Sequence, residues 1–413
     1  MKNVLLFTFL LSSVIPGAQS LTTSQYKEDF NFFWNTIQSN YAYLNKKQTD
    51  WQNVKAVYNS AFDTVTSRRS FVLLLEKVFH ELYDHHASLN VNTRQSQRLV
   101  PSGTDIWAEY INGKPIITEL RKDFGAEKAG IRAGMEVVAV NDIPVEDAIQ
   151  AFYPTRLRKE DMEAKNYALR LLLAGNHTDA RKIRTRQGKE EQDYYPDAVS
   201  DFLKNYPYSD AVEGKILQKN IGYIRINNRL GDNGIIPLFD SVLNKLMYTK
   251  ALIIDLRETP SGGNTTVARS IMGRFISKES PYQKHALPAE EKAFGIKRSW
   301  VEFVSPKKPT YTKPLVVLCN HWTGSVGEGI TIGFDGLKRA AIIGTRMAGL
   351  KGAIYSYTLP HTGIGFSFPV ESLFHVNGTP RENFVPPIQV DLKKSKSGED
   401  VILSEGLMYF NKK

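Results

Sequence analysis

The chain has 413 residues, of which 42% are hydrophobic, 11% aromatic and 23% charged, a balance that excludes a mostly disordered chain and suits about two or three packed domains. The formal net charge is +10, but the basic residues are scattered, and the densest stretch, residues 181–189, runs straight into Glu190 and Glu191, so no nucleic-acid partner is expected. Cys319 is the only cysteine, which excludes an internal disulfide framework and any multi-cysteine metal site.

Residues 1–20 read as a secretory signal peptide. Lys2 supplies the positive start, and the apolar run over 4–11 is too short for a membrane span. Pro16 and Gly17 break the run, and Ala18-Gln19-Ser20 places small residues at the cleavage positions. The expected location is the periplasm of a bacterial envelope, or secretion. No later stretch reaches the length of about 18 apolar residues, so no transmembrane segment is expected.

Residues 21–95 form a helical N-terminal region. Phe30, Phe33, Trp34 and Ile37 recur at helical steps, as do Phe71, Leu74, Leu75 and Val78. The helices end at Asp84-His85-His86-Ala87, followed by a strand over 89–92. Residues 96–200 change to short strands and turns. Strands are predicted over 116–120 and 137–141, with a short glycine-capped helix and then a turn over 125–134 between them. Residues 174–197 are polar and read as the far side of that module or as a connector.

Residues 201–413 read as an α/β unit. Strands are predicted over 221–226, 251–256, 314–319 and 340–344, and helices over 235–247, 265–276 and 327–337. Strands that alternate with helices predict a mainly parallel sheet with helices packed on it.

Chemistry in such sheets lies in the loops beyond the strand ends. One loop runs Arg257-Glu258-Thr259-Pro260-Ser261-Gly262-Gly263-Asn264 into a helix, where glycine N–H groups can face a developing negative charge. The other runs Asn320-His321-Trp322-Thr323-Gly324-Ser325-Val326-Gly327-Glu328. Ser325 stands between a buried strand and a helix, the geometry of an exposed nucleophile. Taken alone, it equally fits a helix N-cap.

These segments resemble the C-terminal processing peptidases and their tricorn-core relatives. Asp255-Leu256-Arg257 through Gly262-Gly263 resembles their Asp-Leu-Arg-x-Asn-x-Gly-Gly segment, with Thr259 for Asn and one extra residue before the glycines. Thr323-Gly324-Ser325-Val326-Gly327-Glu328 resembles their Thr-Ala-Ser-x-x-Glu segment, with Gly324 for Ala. Asp84-His85-His86-Ala87 resembles Asp-Gly-His-Thr, and Arg381-Glu382 through Pro387-Ile388 their C-terminal Glu segment. Residues 125–142 resemble a PDZ domain, with Met135 and Asp142 as departures. The resemblance implies a ClpP/crotonase-like core, a PDZ-like module over 96–200, and a serine endopeptidase acting on peptides or proteins, possibly near their C-termini.

It also implies the roles. Ser325 is the nucleophile, and Gly263 and Val326 supply the oxyanion N–H groups. The family splits on the base. One branch uses a lysine after the nucleophile, for which Lys351 in Gly349-Leu350-Lys351-Gly352 is the candidate. The other uses the histidine, here His86, with a supporting carboxylate, here Glu382. We favour His86, because a lysine must lose about three pKa units before it can act near pH 7. Glu328 stands one helical turn from Ser325 and is either a site residue or a first-turn acid favoured by the helix dipole. No metal or cofactor is expected. His80-Glu81-Leu82-Tyr83-Asp84-His85 places its second histidine one residue late for a zinc-binding helix. The alternative is a non-catalytic protein that binds peptides or small apolar ligands on the same scaffold. Oligomeric state is not legible.

Overall fold

A computed structural model describes residues 21–200, 206–392 and 399–411, so the signal peptide expected over residues 1–20 lies outside the described residues. The first helix, α1 (Thr23–Asn40), starts at a reciprocal cap in which Thr22 and Gln25 bond each other's backbone N–H. Helices α2 (Trp51–Ser60) and α3 (Arg68–His80) follow, the latter capped by Ser67 and Ser70. Both apolar stripes face inward: Phe30, Phe33, Ile37, Phe71, Leu75 and Val78 are all sealed from solvent. After α3 the chain turns through residues 81–87 into strand β1 (Ser88–Leu89).

The middle region contains β2 (Ile106–Ile111), β3 (Lys114–Leu120), α4 (Gly125–Ala129), β4 (Glu136–Val140), β5 (Ile143–Pro144), α5 (Val145–Ala148), α6 (Met162–Ala174), β6 (Ile183–Gln187), β7 (Glu190–Tyr194) and α7 (Pro196–Val199). Its strands form an antiparallel sheet in the order β2-β3-β4-β6-β7, with β5 beside β4. Residues 174–197 are therefore no connector, because β6 and β7 complete this sheet. Their signal was hidden by charge: Arg184 lies opposite Asp193 and Arg186 opposite Glu191, cross-strand pairs suited to a solvated edge.

The last region contains β8 (Val212–Leu217), β9 (Ile221–Ile226), α8 (Ile235–Lys245), β10 (Ala251–Asp255), α9 (Thr265–Gly273), β11 (Ser280–Ala286), α10 (Pro288–Phe294), β12 (Ser299–Val304), β13 (Leu315–Cys319), α11 (Val326–Gly336), β14 (Ala341–Gly344), β15 (Ala353–Thr358), β16 (Gly365–Phe374), β17 (Ile388–Gln389) and α12 (Val401–Asn411). One sheet has the order β17-β14-β13-β10-β9-β8, with parallel pairs from β17 to β9 and β8 antiparallel at its edge. β10 and β13 are buried at every position, as strands covered on both faces must be.

Strand–helix alternation predicts that a parallel sheet dominates. The molecule departs from this. A further sheet, β1-β16-β11-β12 with β15 beside β16, is antiparallel throughout, like the middle sheet. It pairs Ser88 with Ser367, a register that local periodicity cannot reveal. Phe366, Phe368 and Val370 of β16 join the same apolar cluster as Phe30, Phe33 and Leu75. The N-terminal helices are thereby fixed on this sheet, which carries the turn at 84–86 toward the loops of the parallel sheet. Among the described residues no helix is long and apolar enough to cross a membrane.

Candidate active site

The site begins where β10 and β13 end side by side. Their loops stay joined past the sheet: Thr259 N–H donates to Trp322 O at 3.1 Å, and Gly324 N–H to Thr259 O at 3.2 Å. Thr323 Oγ1 donates to Leu256 O at 3.0 Å and accepts from Asn320 N–H at 3.0 Å. These bonds tie off the Ser325 turn before α11 starts.

Ser325 has φ 50° and ψ −109°, a backbone state that costs a non-glycine residue about 1–3 kcal/mol and survives only where the surroundings impose it. Gly262, itself at φ 64°, makes room for it. A Cβ there would lie 2.4 Å from Ser325 Cβ. Pro260 O lies over residue 324, where a Cβ would approach it to 2.5 Å, so only glycine fits. Gly263 is exposed, and its N–H donates to no described residue. Val326 opens α11 directly after Ser325, where a helix leaves its first N–H groups unpaired.

Glu328 is completely buried beneath this turn. Its Oε2 accepts from Ser325 N–H at 2.8 Å and its Oε1 from Gly349 N–H at 3.0 Å. Burial pushes its carboxyl up to about 7, against the opposing pull of Arg381 and the two N–H groups. It is more than a helix-dipole acid, because it joins the Ser325 turn to the loop over 345–352. Leu350 in that loop lies against Gly324. The carbonyl of Lys351, the next residue, sits 2.6 Å from His86 Nδ1.

That contact sets the imidazole. With Nδ1–H donating to the carbonyl, Nε2 is left as the acceptor. Burial pushes His86 down to about 4; Arg381 works in the same direction, while the Lys351 carbonyl and Asp84 oppose it. The ring is therefore neutral at pH 7. Asp84 shapes the turn, with Oδ1 accepting His86 N–H at 2.9 Å and Oδ2 accepting Tyr41 O–H at 2.7 Å.

The remaining candidates lie nearby in other roles. Lys351 Nζ is 2.5 Å from Glu163 Oε1, which also meets Lys47 Nζ at 2.8 Å. Burial opposes the Lys351 charge, but Asp84, Glu163 and Glu382 outweigh it and hold the amine above the ordinary lysine range. A cation committed in this way is a poor base. Glu382 lines a cavity of about 230 Å³ together with Glu328, Lys351, Glu163 and Trp107. The His86 Nδ1 partner is the Lys351 carbonyl and not the Glu382 carboxylate. Arg381 escaped the sequence reading. Its Nη2 donates to Leu350 O at 3.0 Å and Gly352 O at 2.8 Å, clamping the loop that holds His86. Only its place beside Glu382 hinted at this.

Residues 220–391 match the family model of peptidase family S41, and residues 23–80 match that of the tricorn protease C1 domain. Among solved structures, mature CPAF is similar at 16% identity and TM-score 0.58, over 89% of this chain and 92% of that one. A peptidase from Parabacteroides merdae described as putative gives 16% and 0.56, over 93% and 96%. The photosystem II D1 C-terminal processing protease gives 15% and 0.56, over 91% and 95%. Fold and matches together define a serine-type peptidase. The match to peptidase family S41 covers residues 220–391, the part of the chain that holds Ser325.

Proposed function

We propose that the chain is an exported serine endopeptidase in which Ser325 is acylated with His86 as general base. The observation that carries this reading is the strained Ser325 turn packed on Gly262, with a neutral imidazole held from its Nδ1 side by the adjoining loop. Ser325 Oγ attacks the scissile carbonyl carbon while His86 Nε2 takes the hydroxyl proton. The N–H groups of Gly263 and Val326 receive the oxyanion. Collapse of the tetrahedral adduct breaks the C–N bond, and the imidazolium returns its proton to the leaving amine. Water, deprotonated by the same ring, then hydrolyses the acyl ester and restores Ser325. Glu382 is read as the supporting carboxylate of the resemblance, without a hydrogen bond to Nδ1, which the Lys351 carbonyl occupies.

The substrates are peptides or proteins. Cleavage near their C-termini is the finer reading, supported by the likeness to a C-terminal processing protease. The sheet over 106–194 is read as a PDZ-like module that receives an extended peptide along a sheet edge. Export rests on residues 1–20 and is checked by fractionating the producing cell.

The decisive experiment is labelling with a serine-directed phosphonate. The reading requires one adduct on Ser325, lost in Ser325→Ala. Labelling that persists in that variant, or none in the wild type, refutes it. Lactacystin, which is bound in a structure of mature CPAF, is a second probe.

A further inference from the structure

The site depends on three loops: the glycine loop after β10, the nucleophile turn after β13 and the His86-holding loop over 345–352. None belongs to the middle sheet. Yet two alternate residues at the end of β3, Glu119 and Arg121, reach all three. Both are almost completely buried, at 3% and 1% exposed.

Glu119 Oε2 meets His321 Nδ1 at 2.5 Å and accepts from Thr345 Oγ1 at 2.7 Å. His321 lies in the nucleophile turn, and Thr345 opens the loop that carries Gly349 and Lys351. One carboxylate oxygen therefore spans both. The His321 ring is also stacked on Trp107 at 4.6 Å, and Arg170 covers the Trp107 ring at 4.2 Å, so the histidine has a fixed wall. Arg121 forms a two-point ion pair with Glu258 in the glycine loop: Nε to Oε2 at 3.1 Å, and Nη2 to Oε1. Its Nη1 donates to Ser102 O at 2.9 Å, anchoring the guanidinium in the middle region. Trp322 Nε1, next to His321, donates to Thr104 O at 2.8 Å.

We propose that Glu119 and Arg121 are positioning residues for the peptidase reaction. Glu119 locks the nucleophile turn to the loop that holds His86, and Arg121 fixes the glycine loop through Glu258. A buried ion pair adds little net stability over a well-packed neutral pair, but it admits one geometry, and small displacements at a reacting centre are costly in rate. Residues i and i+2 of a strand share a face, so one strand end presents both grips at once. This inference rests on the peptidase reading above.

The test uses the full chain with Glu119→Gln, Arg121→Met and the neutral pair Arg121→Met/Glu258→Gln. Fluorogenic casein turnover, phosphonate inactivation rate and thermal unfolding are measured on each. The double variant carries no unpaired buried charge and keeps the question answerable if a single variant fails to fold. Expected are folded proteins whose kcat and inactivation rate fall together by about 10- to 100-fold, with KM within about threefold. Folded variants that are inactivated at the wild-type rate overturn the proposal, as does a loss that merely tracks the unfolded fraction. A wild type that resists the phosphonate removes the peptidase reading instead, and this inference with it.

Discussion

The parallel sheet and the middle antiparallel sheet hold their parts of the molecule by different means. β10 and β13 are buried end to end and apolar up to Asp255, the last residue of β10, which pairs with Arg257; Ile253, Ile254, Val316 and Val317 are sealed from water. The middle sheet adds buried charge to its apolar core. Arg181 meets Asp105 at 2.7 Å and Asp197 at 2.8 Å, and Arg121 leaves the sheet to pair with Glu258. Apolar packing is non-directional and fixes where a loop starts. A buried ion pair is directional and fixes where a loop ends. Changes in the first sheet should therefore cost stability, and changes at the loops should cost rate.

The largest rate effects sharpen that contrast. His86→Ala lowers kcat by at least about 10³-fold with the fold intact, as turnover and circular dichroism on one sample will show. In the wild type, kcat/KM stays high through pH 6 and falls only as pH drops through about 4, because burial holds the imidazole neutral there. An acid limb near the ordinary histidine value would contradict this. On the packing side, Ile254→Ala costs about 2–5 kcal/mol of stability in denaturant unfolding, while surviving folded protein keeps its KM. Gly324→Ala tests the boundary between the two regimes. Its methyl meets Pro260 O at 2.5 Å, so we expect about 1–3 kcal/mol of strain together with slower acylation. Deleting one residue of the 259–261 stretch should relieve it.

Smaller effects complete the series. Lys351→Met removes the amine but keeps the carbonyl that holds His86, so kcat falls by less than about tenfold. A loss as large as that of His86→Ala would make the lysine the base. Lys114→Ala breaks an exposed 2.9 Å contact with Glu136, and the unfolding midpoint should register no more than about 0.5 kcal/mol.

The elements with a strong local signal were legible. Residues 221–226 and 251–255 were legible as strands because they are short, β-branched-rich and mostly apolar between turns, and Ser325 was conspicuous because strand, turn and helix meet there. β6 and β7 were hidden because their charges pair across strands. α6 was not anticipated, although Asp161 caps it. Glu119 carried no local signal and Arg381 only its place beside Glu382, since each acts on atoms far away in the chain.

Composition, hydrophobic period and the glycine and serine turns by themselves determined the class of fold around the parallel strands and the handful of residues from which a hydrolytic site could be built. Tertiary structure alone decided which of those residues bear on one another. The Lys351 amine is drawn to Glu163 while its carbonyl serves His86, and Gly324 is required by the carbonyl of Pro260. The reason is physical. Periodicity records only which face of an element avoids water, whereas a proton acceptor, a charge and a strained turn acquire their properties from neighbours that long-range packing supplies.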